Sequence, residues 1–483
     1  MTRLLPLAAA CALLLAGCAS TEGLSTQGQL SDADSLAIEK SLAGSQLTAA
    51  AWPSERWWTA FGDPQLDGLI DEALAGSPAL HAADARTRKA MAQAGLADAA
   101  RKPILGASAQ LLGLQIPETL AGAELGGDFS IANLLTLNLK YNPDFWGMDE
   151  AKWQAALGSA RATEVDAQAA RLTLAANIAR TYVALAQASD FQEAALTEAA
   201  RSDALVKLSQ QRIQAGLDNT IGLNQNRSAS AGARQQAQAA RQQIDALRNA
   251  LAALVGAGPD RGLDIARPTL ATPDAAAPSL LPSNLLARRP DIVAARWRVD
   301  AARRDIDASR AAFYPTINLS LMAGLAAGNL GDLFGTDALL VNGGPALSLP
   351  IFEGGRLRNQ LMGSNADYDL AVANYNQTLL GAIREVADAV QAARALDRQI
   401  ASMRVARDTA AKAHALVAQR YRAGLANQLD VLAAQKPLLQ LDQQLAALDA
   451  KRRTASIDLD QALGGGIAIE TPEHIPSNDS ASN

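Results

Sequence analysis

Aromatic side chains are scarce in this sequence: six Trp, six Tyr and seven Phe among 483 residues. That scarcity argues against a thick globular core filled by large rings. The abundance of Ala, Leu, Gln and Arg favours long helices packed through small side chains instead. Cysteine is nearly absent, represented by Cys11 and Cys18 alone, so stability has to come from packing or association and not from a disulfide framework. The three histidines, His81, His414 and His474, stand apart and lack the spacing of metal ligands. Neither sign of charge dominates. The net charge is −6 with acids and bases interspersed, which offers no basic face to nucleic acid. No nucleophile motif, P-loop or dinucleotide fingerprint occurs, and the glycines at 464–466 read as a helix end. An enzyme is not expected, nor is a metal.

The one markedly apolar run is N-terminal and short. It starts at Leu4, after a single Arg, and ends in Leu15-Ala16-Gly17-Cys18. A bilayer-spanning helix needs roughly 20 residues, so residues 1–17 read as a secretory signal peptide. The LAGC ending resembles the lipobox of bacterial lipoproteins. That likeness implies cleavage before Cys18 and acylation of its thiol with a palmitate-type chain, and Ala19 is not the Asp that retains such proteins at the inner membrane. The alternative is an ordinary signal peptide with an incidental Cys. Residues 18–50 then form a lipidated N-terminal segment, and no cofactor is expected beyond that covalent lipid.

The rest of the chain is a duplicated unit. QRIQAGLDNT (211–220) and QRYRAGLANQ (419–428) align Arg212 with Arg420, Gly216 with Gly424 and Leu217 with Leu425. The same spacing carries Ile178-Ala179 onto Val386-Ala387 and Gly256 onto Gly464. Pro143, Phe145 and Gly147 recur as Pro350, Phe352 and Gly354 after a drift of about five residues, the kind of change surface loops absorb. The first copy covers 51–258, a linker 259–282, and the second copy 283–466. A polar, disordered tail is expected over 467–483.

Each copy predicts a helix (65–101; 283–313), a β-hairpin (103–143; 315–352) and a long helical hairpin (149–255; 356–463). The longest helices would reach on the order of 100 Å and must pack against partners to be stable. Ile244, Leu247, Leu251 and Leu254, like Leu438, Leu441, Leu445 and Leu448, follow the seam spacing of coiled coils. The Gly in each AGL turn breaks the helix at a hairpin tip, where a left-handed conformation is needed.

The hairpin segments alternate strictly. In 130–142, Leu135, Leu137, Leu139 and Tyr141 oppose Thr136, Asn138, Lys140 and Asn142. In 315–322, Ile317, Leu319 and Leu321 oppose Thr316, Asn318 and Ser320. In 345–351, Leu347, Leu349 and Ile351 oppose Ala346 and Ser348, and 103–116 is the least regular of the four. Two readings fit: a small soluble sheet packed on helices, or strands with lipid on one face and a watery lumen on the other. The signal peptide and lipobox-like ending favour the second. Four strands cannot close a barrel, so several chains would have to share one.

Three blocks then carry a resemblance. WWTAFGDPQLDGLIDEAL (57–74), LLARRPDIVAARWRVDAARRDIDASRAAFYPTINLS (285–320) and LPIFEGGRLRNQL (349–361), together with the two AGL turns, resemble the outer-membrane factors of tripartite efflux pumps. The likeness is to the TolC/OprM-like, NodT-type lipoproteins and covers roughly 50–466. It implies a mainly α fold with a transmembrane β-barrel: a homotrimer with a 12-stranded barrel and an α-barrel tunnel of coiled-coil hairpins. It implies a passive, lipid-anchored outer-membrane exit duct for small molecules that extends into the periplasm. A periplasmic adaptor and an inner-membrane pump of the resistance-nodulation-division (RND) type would open it. By the same likeness Asp430 and Tyr421 are pore or gate residues, with Ala433 in place of a second acid. Arg212, Gly216, Leu217, Arg420, Gly424 and Leu425 form the adaptor-binding tips. Trp57, Trp58 and the Pro290-Asp291 step read as structural. Type I protein secretion and a non-channel periplasmic helical lipoprotein are the alternatives.

Overall fold

The computed structural model describes residues 21–36, 40, 47–48, 52–115, 117, 119, 127, 129–273, 277–278 and 283–467. Cys18, the signal peptide and nearly all of the tail lie outside them. The chain divides into two units. One holds Met1–Leu30, Thr87–Thr163 and Ala295–Tyr375; the other holds Ser31–Arg86, Glu164–Ala294 and Asn376–Asn483. No helix among the described residues is long and apolar enough to cross a membrane.

The duplication is visible element by element. The first copy runs α1 (Pro64–Gly76), α2 (Pro78–Ala100), β1 (Ile104–Gln115), β2 (Phe129–Tyr141), α3 (Met148–Gln214) and α4 (Thr220–Leu254). The second runs α5 (Pro290–Ala311), β3 (Thr316–Ala327), β4 (Leu339–Ser348), α6 (Arg356–Arg422) and α7 (Gln428–Ala462). Both α3 and α6 have 67 residues, and both α4 and α7 have 35. The helical hairpins, expected over 149–255 and 356–463, run from Met148 to Leu254 and from Arg356 to Ala462.

Three expectations need correction. The helix expected over 65–101 is two helices, because Ser77 precedes Pro78 and takes an extended conformation (ψ 127°), as residues before proline do. The helix expected from 283 starts at Pro290, a residue favoured in the first turn because it has no N–H to leave unpaired, after a 3-10 turn over Ser283–Ala287. Strand β4 begins six residues earlier than expected and stops at Ser348, so Leu349 and Ile351 lie beyond it. In addition, Leu47–Thr48 from the N-terminal segment pairs in parallel with Ala277–Pro278 from the linker, where no strand was anticipated.

The aromatic-poor core sits in the second unit. Trp57 and Trp58 meet edge to face at 5.7 Å, and both are buried with Phe61, Leu66 and Ile70 against Ile178, Tyr182 and Leu251. Trp57, Trp58, Phe61 and Tyr182 are the only large rings in this cluster among the described residues, and each removes much apolar surface from water. Asp63 caps α1 by accepting from Gln65 N at 3.0 Å. Its other oxygen accepts from the Tyr182 hydroxyl at 2.8 Å and Thr269 N at 2.9 Å. Burial pushes the Tyr182 phenol above its ordinary range, with the Asp63 contact adding to it. The W-W-x-x-F-x-D-P block is thus a packing device, as expected of Trp57 and Trp58.

The R-P-D block is another. Buried Arg289 pairs with Asp291 (2.6 Å) and Glu385 (2.9 Å) and donates to the Ala462 carbonyl (2.9 Å) that ends α7. Gly464, Gly465 and Gly466 follow with φ of 92°, 62° and 72°. A Cβ on Gly464 would meet the Arg288 carbonyl oxygen, and one on Gly466 would meet Pro53 and Ser54 backbone. Replacing Gly464 with Ala is expected to cost more than the ~1 kcal/mol of left-handed strain alone, because backbone has to move. Thermal melting followed by circular dichroism should show a clear fall in midpoint.

Candidate functional site

The first unit contains a four-stranded antiparallel sheet in the order β1-β2-β3-β4. The two hairpins, one from each copy, join through β2 and β3, with Leu135 opposite Leu325 and Tyr141 opposite Leu319. Directly paired residues share a face, so the register sorts every side chain. One face carries Leu105, Leu135, Leu137, Leu321, Val341 and Leu347. The other carries Ser108, Gln110, Thr136, Asn138, Asn318 and Asn342. On the polar face Ser108 and Thr136 hydroxyls lie 2.8 Å apart, and the Asn138 amide donates to both, at 3.3 and 3.1 Å.

The apolar face is not packed on helices. Leu137 is 53% exposed, Val341 61% and Leu347 71%. A soluble sheet would bury this face, so the soluble-sheet alternative is set aside. β1 and β4 also have free outer edges among the described residues. Pro345 sits on β4, where a residue without an N–H is tolerated because the strand is an edge of the single chain.

The second unit carries both glycine tips, and they close by the same bonds. At the first, Leu217 N donates to Arg212 O at 2.8 Å and Gly216 N to Ile213 O at 2.9 Å. At the second, Leu425 N donates to Arg420 O at 2.8 Å and Gly424 N to Tyr421 O at 3.0 Å. This is the Schellman arrangement, with φ of 70° at Gly216 and 73° at Gly424. An apolar residue usually stands where Arg212 and Arg420 stand, to receive the Leu that follows the glycine. With Arg there, Leu217 and Leu425 remain 68% and 70% exposed.

The tips differ in side chains. Arg212 pairs with Asp218 at 3.2 Å. The Asp218 carboxyl is held below the usual carboxylate range by the Asn219 backbone N–H and then by Arg212. Ala426 replaces that acid in the second copy, and Arg420 has no ion pair among the described residues. Asn427 instead forms a capping box with Asp430. Asp430 N donates to Asn427 Oδ1 at 3.0 Å, and Asp430 Oδ2 accepts from Asn427 N at 2.9 Å. Asp430 and Tyr421 are both exposed on the second tip. One tie escaped the sequence reading. Buried Arg201 on α3 grips Glu198 at 2.6 and 2.5 Å and donates to the Leu432 carbonyl of α7 at 3.1 Å. Pro437 lies inside α7, five residues past Leu432, and removes an N–H from the helix.

The sequence profile of the outer membrane efflux protein family matches residues 69–257 and 281–465. The chain belongs to this family. It is 38% identical to the fusaric acid resistance protein FusA of Burkholderia cepacia over 74% of this chain and 68% of that one. It is 32% identical to the multidrug resistance outer membrane protein MdtP of Shigella flexneri over 94% of both. The crystal structure of the outer membrane protein VceC from Vibrio cholerae superposes with a TM-score of 0.79 at 36% identity, covering 86% of this chain and all of that one. The two-faced sheet is therefore this efflux channel's contribution to an outer-membrane β-barrel, and the long hairpins belong to its helical tunnel. Members of the family are channel proteins, not enzymes.

Arg at position 321, on the apolar face, should cost on the order of 1–3 kcal/mol at its depth towards the helix-proximal end, whereas Arg at position 318, on the polar face of the same strand, should cost much less. Outer-membrane yield of Leu321→Arg and Asn318→Arg, read by heat-modifiable gel mobility, compares them directly.

Proposed function

We propose that three copies of this chain close one 12-stranded barrel and one helical tunnel, forming a passive exit duct for small molecules. The observation that carries this reading is the open sheet. Its apolar face is uncovered and both edges are unpaired, and lipid tolerates neither strand edges nor unsatisfied backbone groups. The seam on α7 supports the same association. Ile244 and Leu251 of α4 are buried, but Leu438, Leu441, Leu445 and Leu448 are only half-buried within one chain, leaving apolar surface for a neighbouring copy.

A periplasmic adaptor docks on the tips, where exposed Leu217 and Leu425 follow glycine turns beside Arg212 and Arg420. An inner-membrane pump, of the RND type by family resemblance, supplies the energy. The relatives named for fusaric acid resistance and multidrug resistance support small-molecule cargo over protein export. A lipid on Cys18 anchors the mature N-terminus. In the assembled tunnel Asp430 and Tyr421 line the constriction, so that three carboxylates surround the axis and favour cations.

The test is native mass in detergent of a Cys18→Ser chain secreted by a non-lipoprotein signal, which removes the acyl chain. A detergent-dependent trimer is expected; a water-soluble monomer would overturn the shared barrel. For the constriction, Asp430→Asn deletes charge while keeping a side-chain acceptor. In planar-bilayer recordings it should reduce cation selectivity with little change in stability. Asp430→Ala should in addition cost about 1 kcal/mol of helix capping. Unchanged selectivity in both variants would remove Asp430 from the conduction path.

A further inference from the structure

The four strands contain a single charged side chain, Lys140. Everything else on them is apolar, small or neutral polar. Lys140 is exposed and stands near the helix-proximal end of β2. Its direct neighbours in register are Ile104 on β1 and Ser320 on β3. Alternation places it with Thr136 and Asn138, on the face of the Ser108–Thr136–Asn138 hydrogen-bond cluster and opposite Leu137 and Leu139.

No acid on any strand neutralises it. The nearest acid along the chain, Asp144, is occupied in capping α3, accepting from Met148 N at 2.8 Å and Glu150 N at 2.7 Å. On the lipid face an unpaired Lys would be destabilising. On the polar face it adds a fixed positive charge to a wall whose other groups are uncharged. Where low-dielectric walls enclose water, a ring of like charges raises the local concentration of counter-ions and lowers that of co-ions.

We propose that Lys140 sets the charge preference of the barrel lumen, so that organic anions traverse this part of the duct more readily than cations. The inference rests on the shared-barrel reading above, which places three copies of Lys140 around one lumen. Its sign is opposite to that of the carboxylate at position 430.

The test uses a thiol as a local probe. Ser320→Cys, in the full chain carrying Cys18→Ser behind a non-lipoprotein signal, puts one thiol beside Lys140 in the mature protein. Rates of modification by an anionic and a cationic methanethiosulfonate of similar size are compared in detergent-solubilised protein. At a separation of about 6 Å in water, Coulomb's law gives a ratio favouring the anion on the order of tenfold. Any effect of Lys140 on thiol ionisation cancels in that ratio. Lys140→Gln should bring the ratio close to one, Lys140→Glu should invert it, and Lys140→Arg should preserve it.

A reactive thiol whose ratio is the same with Lys140 and with Lys140→Gln would overturn the role of Lys140 and leave the barrel standing. A thiol that reacts with neither charged reagent, but does react with a lipid-soluble maleimide, would put the polar face outside the water-filled space. That result would overturn the shared-barrel reading and this inference together.

Discussion

The edge of a β-strand cannot face lipid. Each unpaired N–H or C=O left in hydrocarbon costs several kcal/mol, and β1 and β4 each present a whole row of them. That cost links the features of the first unit. The hairpins of the two copies have to join through β2 and β3 to halve the number of open edges. The two edges left over have to find other copies of the same chain. Once they do, the prevailing alternation of the strands has a single solution, with Leu137, Leu321 and Val341 outward and Thr136, Asn138 and Asn318 inward. A register slip of one residue would reverse every one of these assignments, so pairing and sidedness are fixed by the same bonds.

The second unit meets a different constraint, the reversal of very long helices. Two backbone bonds and one left-handed glycine accomplish each reversal. The helices themselves are held by Arg side chains that reach carbonyls as well as carboxylates. Arg201 ties α3 to the Leu432 carbonyl, and Arg289 ties the start of α5 to the Ala462 carbonyl at the end of α7. A guanidinium suits both tasks because its planar fork can meet a carboxylate with two N–H groups and still donate a third. In a core with few aromatic rings, these buried forks replace part of the specificity that large interlocking side chains would otherwise provide.

Much of this was legible in the sequence because it rests on periodicity and on glycine. The helix ends at Gln214 and Arg422 follow from the AGL turns, and β2 follows from alternation in 130–142. What was not legible involved proline geometry and distant partners. Ser77 looks like an ordinary helix residue until Pro78 forces it extended. Strand β4 hid its first residues because Gly343 and Gly344 interrupt the alternating pattern. Arg201 gave no signal, because the carbonyl that it grips belongs to a residue 231 positions away. The capping box likewise turns Asp430 from a residue suspected only of lining a pore into one that also starts a helix.

That double role bears on why two copies with identical backbone turns have diverged. A Schellman turn demands only a glycine and main-chain atoms, so it places almost no demand on the residues that follow it. The first copy puts Asp218 next, where it pairs with Arg212. The second puts Ala426 there, with no ion pair on Arg420 among the described residues, and puts Asp430 where the first copy has Gly222. Both solutions satisfy the first N–H groups of the returning helix with an Asn and an acid, one through Asn219 and the preceding Asp218, the other through Asn427 and the following Asp430. Turn geometry therefore does not explain the charge difference between the tips. In a trimer, alternating tips of two kinds would present an adaptor with two different charge patterns on one backbone shape. Duplication fixed that shape, and the freedom left by a glycine turn let each copy acquire its own surface.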